Sequence, residues 1–190
     1  MYNAIKTPEH KIDLSSWDLS GKSMLVSEKK LGQLKGVFQD EESFKAMDQE
    51  QIIYKVQAIQ PVEEGTEGGL FFGNSTIMPG KVGSEYFMTR GHFHEIENRA
   101  EYYWGITGNG IMIFMDREGI TWAENMFPGS LHYIDGYIAH RVANVGETPL
   151  TFGACWPSDA GHNYDEIDEK GFTSRLIEKD GKPVLIHQSQ

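Results

Sequence analysis

Residues 89–101 read "TRGHFHEIENRAE": two histidines, His92 and His94, one residue apart, then three glutamates, Glu95, Glu97 and Glu101. Side chains of a strand alternate faces, so His92 and His94 project together, about 7 Å apart. Two imidazoles at that separation can share one metal ion, with a carboxylate as a further donor. Alone, an H-x-H pair reads first as two polar residues on a solvated face. Support for a metal comes from farther along the chain. Glu101 opens the run "EYYWGIT", which leads into the turn "TGNG" containing Gly108. "GSLHYIDGYIAHRVANVG" then supplies His140 at the start of another short run, with Asn144 four residues later. Two histidines, a glutamate and a distant third histidine, all on short strands, form a ligand set able to face into a barrel. Such a set leaves coordination positions open to water or substrate, as a catalytic ion needs. Among the other histidines, His10 and His187, near the ends, read as surface residues, and His132, which follows a turn with no nameable partner, reads as structural.

The elements that must position these residues are short. From Gln51 onward, apolar or alternating runs are cut by glycine and proline: "IIYKVQAI", "GLFFGNSTIM", "EYFMTRGHFH", "EYYWGIT", "IMIFMD", "LHYI", "HRVANV" and "LTFGACW". Turn signals such as "PGKVG", "DREG", "FPGS" and "NVGETP" separate them. Many short strands with little helix between them predict an all-β sandwich or barrel. "FTSRLIEKDGKPVLIHQ" reads as a last hairpin turning at "DG", and "DAGHNYDEI" as a loop leading into a short helix. Residues 1–50 are mixed, with a short strand near "SMLVSEKKL" and a short helix in "EESFKAMDQE". The expected organisation is a single domain of 190 residues: a small irregular N-terminal extension over 1–50 and a barrel with its C-terminal hairpin over 51–190.

Composition excludes several classes. The formal net charge is −11 and basic residues are not bunched, so no nucleic-acid partner is expected. No apolar run is long enough for a membrane span, and none has the layout of a secretory signal. The single cysteine, Cys155, leaves no internal disulfide and fits a reducing compartment, so a cytoplasmic location is expected. Net charge does not exclude an anionic substrate, because a bound cation reverses the local sign.

The pattern "H-x-H…E-x6-G" over His92, His94, Glu101 and Gly108, and "G…H-x3-N" over Gly129, His140 and Asn144, resemble the two motifs of the cupins. That resemblance implies a small antiparallel jelly-roll barrel. Six residues separate His94 from Glu101, a longer spacing than usual, and Asp135 and Tyr137 stand where the second motif has proline and glycine. The longer stretches "PGKVGSEYFMTRGHFHEIENRAEYY", "AHRVANVG" and "WPSDAGHNYDEI" are similar to the cupin-type glucose-6-phosphate isomerases, which share the long spacing. The likeness runs from about Ile52 to about Ile177. It implies metal ligation by His92, His94, Glu101 and His140, which selects Glu101 and leaves Glu95 and Glu97 solvated in a loop.

The same resemblance implies substrate contacts at Ser75, Thr89, Gly91, Tyr103, His162 and Tyr164. Strand alternation, however, groups Arg90 rather than Thr89 with His92 and His94. Either Gly91 makes a bulge that resets the faces, or Arg90 is the anion contact. Trp156 replaces a family tyrosine and removes its phenol oxygen.

The implied activity is interconversion of glucose 6-phosphate and fructose 6-phosphate in glycolysis and gluconeogenesis, through a cis-enediol(ate), with Glu101 as catalytic base. A hydride shift would need no base, and His162 or Tyr164 are alternative proton carriers. One divalent metal per chain is expected. Fe²⁺ is favoured by the resemblance, while Mn²⁺, Co²⁺, Ni²⁺ and Zn²⁺ also suit the donors. A sugar phosphate is the expected substrate and a homodimer the expected assembly, with residues 1–50 adding to a neighbour's sheet. Two other readings share the ion site: another metal-dependent cupin, such as a dioxygenase or an isomerase of a different sugar phosphate, and a non-catalytic sugar-phosphate-binding cupin.

Overall fold

A computed structural model describes residues 5–188. The first four residues of the expected extension and the last two of the expected barrel segment lie outside it. The N-terminal part contributes β1 (Lys11–Ile12), β2 (Leu19–Ser20), β3 (Met24–Lys30), a 3-10 turn over Leu31–Leu34 and α1 (Glu41–Ala46). The Asp40 side chain caps α1 by accepting from the Ser43 N–H, as a carboxylate does at a helix start. There follow β4 (Ile52–Ile59), β5 (Leu70–Ile77), β6 (Lys81–Val82), β7 (Glu85–Tyr86), β8 (Glu101–Thr107) and β9 (Gly110–Met115). Next come β10 (Thr121–Met126), β11 (Leu131–Ile134), β12 (Ala139–Asn144) and β13 (Leu150–Pro157). Last are α2 (Asp165–Lys170), β14 (Ser174–Lys179) and β15 (Lys182–His187), the latter two forming the hairpin expected at Asp180 and Gly181.

A six-stranded sheet in the order β11-β8-β13-β5-β4-β3 makes one wall. All its pairings are antiparallel. The sheets β10-β9-β12 and β15-β14-β7-β6 make the rest. Phe87, Phe114, Phe152, Ile53, Ile77 and Met112 are fully buried between the walls. β9 and β12 are buried at every position, which is why "IMIFM" reads as a continuous apolar run rather than an alternating one. The result is the jelly-roll barrel of the cupins.

The expected strand over "EYFMTRGHFH" is the main departure. Only Glu85–Tyr86 forms a ladder; beyond it the chain touches its neighbours through single bridges, Met88 to Ala143, His92 to His140 and Phe93 to Asn163. Gly91 explains the break. Its φ is +83°, and a β-carbon there would stand 2.7 Å from the Phe172 ring and 3.1 Å from the Arg141 β-carbon. A left-handed residue cannot continue a ladder, and only glycine enters that region without steric cost.

The turn before β12 shows the opposite choice. Tyr137, at the motif's glycine position, has φ +65°, so a side chain accepts the conformation that glycine would take freely. Asn144 ends β12 fully buried. Its Nδ2 donates to the Ile77 and Thr148 carbonyls, each at 2.9 Å, and its Oδ1 accepts from the Gly146 N–H. The structural role of this motif residue is to tie β12 to β5 and to the following turn.

Candidate metal centre and active site

Four side chains from three stretches converge inside the barrel. His140 is the second residue of β12 and Glu101 the first of β8; His92 and His94 come from the singly bridged segment between β7 and β8. One donor atom from each of the four lies within 4.8 Å of all the others. The rings of His92 and His140 are 4.5 Å apart, and those of His92 and His94 5.6 Å. The expected ligand set is therefore brought together, although its two leading histidines do not ride on a regular strand.

Hydrogen bonds orient the rings. The His94 Nδ1–H donates to the Arg99 carbonyl at 2.7 Å, and that of His140 points at the Ile138 carbonyl at 3.4 Å. Carbonyls only accept, so in both rings Nε2 is left to face the cluster, the arrangement that presents a lone pair to a metal. Both Nε2 atoms crowd one carboxylate oxygen: Glu101 Oε1 is 2.7 Å from His140 and 3.1 Å from His94. His92 Nε2 is buried with no hydrogen-bond partner among the described residues. An orphaned imidazole nitrogen beside a carboxylate and two imidazoles fits a cation held there. These residues could hold a divalent metal.

Electrostatics point the same way. Burial, and then the neighbouring His140, His162 and His94, hold His92 neutral, well below the ordinary imidazole value. Burial alone would raise the Glu101 carboxyl, but His140 and His94 outweigh it and hold it at about 2. Burial, followed by the Glu101 charge, keeps the Tyr103 phenol protonated well beyond its usual range. The centre thus offers a neutral imidazole at His92, an ionised carboxylate and a phenol donor.

The other expected site residues surround it. The Tyr103 hydroxyl is 3.5 Å from His140 Nε2, and its ring stacks on Phe152. His162 and Tyr164 stack nearly parallel, 5.7 Å apart at 6°, over His92 at 4.5 and 5.5 Å. Ser75 pairs with Phe152 and Val56 on the sheet, on the face it shares with Ile77. The Thr89 hydroxyl accepts from the Val142 N–H at 3.1 Å, so it is already engaged with β12.

Gly91 resets the faces. Arg90 lies over the Tyr164 ring at 5.0 Å and forms a two-point ion pair with Asp168. Of the two alternatives that alternation left open, the left-handed Gly91 that breaks it is the one observed. Glu95 is exposed, and the exposed Glu97 pairs with Arg117 at 2.5 Å. His132 has partners after all: it is buried between Glu124 at 2.6 Å and Ser130 at 2.9 Å.

One aromatic joins the site unannounced. Tyr54 on β4 pairs with Ile77, which places it on the inner face, and its phenol lies close to the Arg90 backbone and Tyr164. Within "IIYKVQAI" it looks like any core aromatic; only the β4–β5 register reveals it.

The family model "Glucose-6-phosphate isomerase (GPI)" matches residues 28–189. The chain belongs to the glucose-6-phosphate isomerase family. Family members with the same name include the Thermococcus kodakarensis protein, 43% identical over 176 residues and covering 92% of this chain and 91% of its own. Glucose-6-phosphate isomerase of Thermococcus litoralis is 43% identical over 161 residues, 84% of each chain. That of Pyrococcus horikoshii is 40% identical over 178 residues, 93% of this chain and 92% of its own. Among solved structures, oxalate decarboxylase from Bacillus subtilis is similar over 57% of this chain and 26% of that one, with 23% identity and a TM-score of 0.45. That likeness is too slight to add to the fold read from the sheets.

Proposed function

We propose that the chain interconverts glucose 6-phosphate and fructose 6-phosphate, with one divalent metal held by His92, His94, Glu101 and His140. The observation that carries this reading is the buried His92 Nε2, unpartnered beside Glu101 and two further imidazoles, in a member of this family. When bound, the metal would act as a Lewis acid on substrate oxygens and stabilise negative charge developing there. The donor set suits Fe²⁺, Mn²⁺, Co²⁺, Ni²⁺ or Zn²⁺; Fe²⁺ is our choice, on family resemblance.

The residues around the cluster supply the rest. Ser75, Thr89 and the Gly91 backbone are assigned to the phosphate and sugar, since hydroxyl and N–H donors bind phosphate oxygens without adding charge. Tyr103, His162 and Tyr164 enclose the reacting carbons, and His162, which burial keeps neutral, can accept a proton during ring opening. Glu101 is proposed to take the proton from the carbon beside the carbonyl and return it to the neighbouring carbon through a cis-enediol. Its contacts with His94 and His140 both fall on Oε1, leaving Oε2 for the proton.

A carboxylate that also donates to a cation is nevertheless a weak base, because the ion stabilises its charged form; a second route, a hydride shift between the two carbons, needs no base. The Glu101→Gln protein, checked for retained metal, separates the two. Proton transfer predicts that turnover and solvent exchange at carbon fall together. Turnover that persists without exchange would remove Glu101 as base. The broader reading is tested by chelation and metal add-back: isomerisation should vanish and return. Metal that rebinds at one per chain with no isomerisation would point to a different cupin chemistry.

We also propose a homodimer. β3 is an edge strand with Leu25 and Val26 exposed, and the outer face of its sheet carries exposed Leu131, Tyr102 and Tyr133. An exposed apolar sheet face with an open edge suits a second copy. A monomeric mass by light scattering at micromolar concentration would rule this out.

A further inference from the structure

The outer side of β12 carries charged groups for which the isomerase reading has no use. Arg141 follows His140 on the strand and so projects from the opposite face, into a cavity of about 180 Å³. Arg90, Arg175, Lys35 and Asp168 line the same cavity, with Phe172 as an apolar wall.

The charges there do not balance. Asp168 neutralises Arg90, and Glu85 neutralises Arg175 at 3.1 Å. Among the described residues, Arg141 has no carboxylate within ion-pair reach, although it is only 3% exposed. Its guanidinium lies 4.1 Å over the Phe172 ring and donates through Nη2 to the Ser174 carbonyl at 3.3 Å. The Nε atoms of both Arg141 and Arg175 are buried without a hydrogen-bond partner among the described residues. Lys35, exposed at the rim, also makes no ion pair among the described residues. A buried guanidinium without a counter-ion is costly, and it is conspicuous in a chain of net charge −11.

We propose that this cavity binds a small doubly charged oxyanion, inorganic phosphate or the phosphate group of a monoester, through Arg141, Arg90, Arg175 and Lys35. Two cations, Arg141 and Lys35, lack carboxylate partners, which matches a dianion. Guanidinium groups present paired N–H donors in the geometry that oxyanions accept. None of the substrate contacts assigned above lines this cavity, although Gly91 abuts its walls at Phe172 and Arg141.

Calorimetric titration of inorganic phosphate into the wild-type chain and its Lys35→Glu and Arg141→Met variants tests this, together with anomalous diffraction from crystals soaked in tungstate. The expected result is tungstate between Arg141 and Arg90. Lys35→Glu, altered only at an exposed side chain, should weaken the cavity's phosphate affinity at least about fivefold, as a reversed charge at close range does. A folded Arg141→Met protein should lose that binding. Tungstate confined to the barrel interior, no tungstate at all, or a smaller effect of Lys35→Glu overturns the proposal. Glucose 6-phosphate and inorganic phosphate competing for the cavity in Lys35-dependent fashion identifies a monoester as an acceptable source; phosphate alone restricts the site to the free ion. Occupancy is read without turnover, so tungstate in the cavity of a chain that fails to isomerise would break the isomerase reading alone.

Discussion

The two halves of the ligand set are built differently. His140 and Glu101 sit on β12 and β8, whose backbones are paired residue by residue. His92 and His94 sit on a segment held by isolated bridges, by Gly91 in a left-handed conformation and by the Arg99 carbonyl under His94. One half inherits its position from sheet register. The other depends on a few single contacts, so local substitutions should loosen it without unfolding the barrel. Precision at this centre therefore has two sources with different vulnerabilities.

Removing a ligand from the laddered half should have the largest effect. His140→Ala is expected to lower metal affinity and isomerase turnover by more than the roughly 10–100-fold typical of altering a supporting partner, with the barrel's circular dichroism retained. Retained stoichiometric metal after this change would show that the centre does not need its sheet-borne imidazole.

Gly91→Ala strikes the other half. The new methyl group must enter a left-handed conformation and meet Phe172 and Arg141, so a loss of about 2–4 kcal/mol is expected. Denaturant titration of the metal-free protein reads it directly. An unchanged midpoint would mean that the segment can re-form without its left-handed residue.

A gentler test leaves the backbone alone. Arg99 clamps Asp159 through Nε at 3.0 Å and Nη2 at 2.7 Å while its carbonyl holds His94. Arg99→Met should weaken metal binding by about tenfold and lower the unfolding midpoint of the metal-free protein slightly at neutral pH, as loss of a partly exposed ion pair does. The clamp also has a pH signature. Its hydrogen bonds from Arg99 hold the Asp159 carboxyl below its ordinary value. A carboxyl lowered on folding stabilises above its unfolded pKa, about 3.9, and that contribution disappears as pH falls through the lower folded value. Acid unfolding of wild type and Arg99→Met should therefore converge at the lowest pH. Curves that stay offset to the lowest pH would mean that Arg99 acts other than through the Asp159 charge, and coincident curves that the pair contributes nothing.

The smallest effect is expected at the turn before β12. Tyr137 holds φ +65° and is 52% exposed, so glycine would relieve strain at the cost of a more flexible unfolded chain. A net gain of up to about 1 kcal/mol is expected for Tyr137→Gly. Destabilisation instead would show that the ring packs usefully despite its exposure.

Alternation and turn residues made most strands readable: "IIYKVQAI", "EYYWGIT" and "LTFGACW" are β4, β8 and β13. β10 was not readable. "TWAENM" is largely solvent-exposed and polar, and it is a strand because β9 offers a free edge. The four candidate ligands were legible through the motif resemblance, which selected Glu101 over Glu95 and Glu97; the H-x-H pair alone reads as two polar residues on a solvated face. Tyr54 was not, since its relevance depends on pairing with a strand about twenty residues away. The side taken by Arg90 stayed open between two readings because alternation holds only until one residue turns left-handed, and the sequence shows a glycine without showing its φ.

His140 and Arg141 stand back to back on β12, an imidazole turned inward and a guanidinium turned outward. A slip of one position would exchange them and put a permanent cation where a metal's lone-pair donor belongs. A misregistered molecule would thus be repelled from the metal by its own strand, rather than merely lacking a ligand. The three hydrogen bonds of buried Asn144, at the far end of the same strand, then act as an alignment key: misfolding by one step breaks the lock and the metal site together.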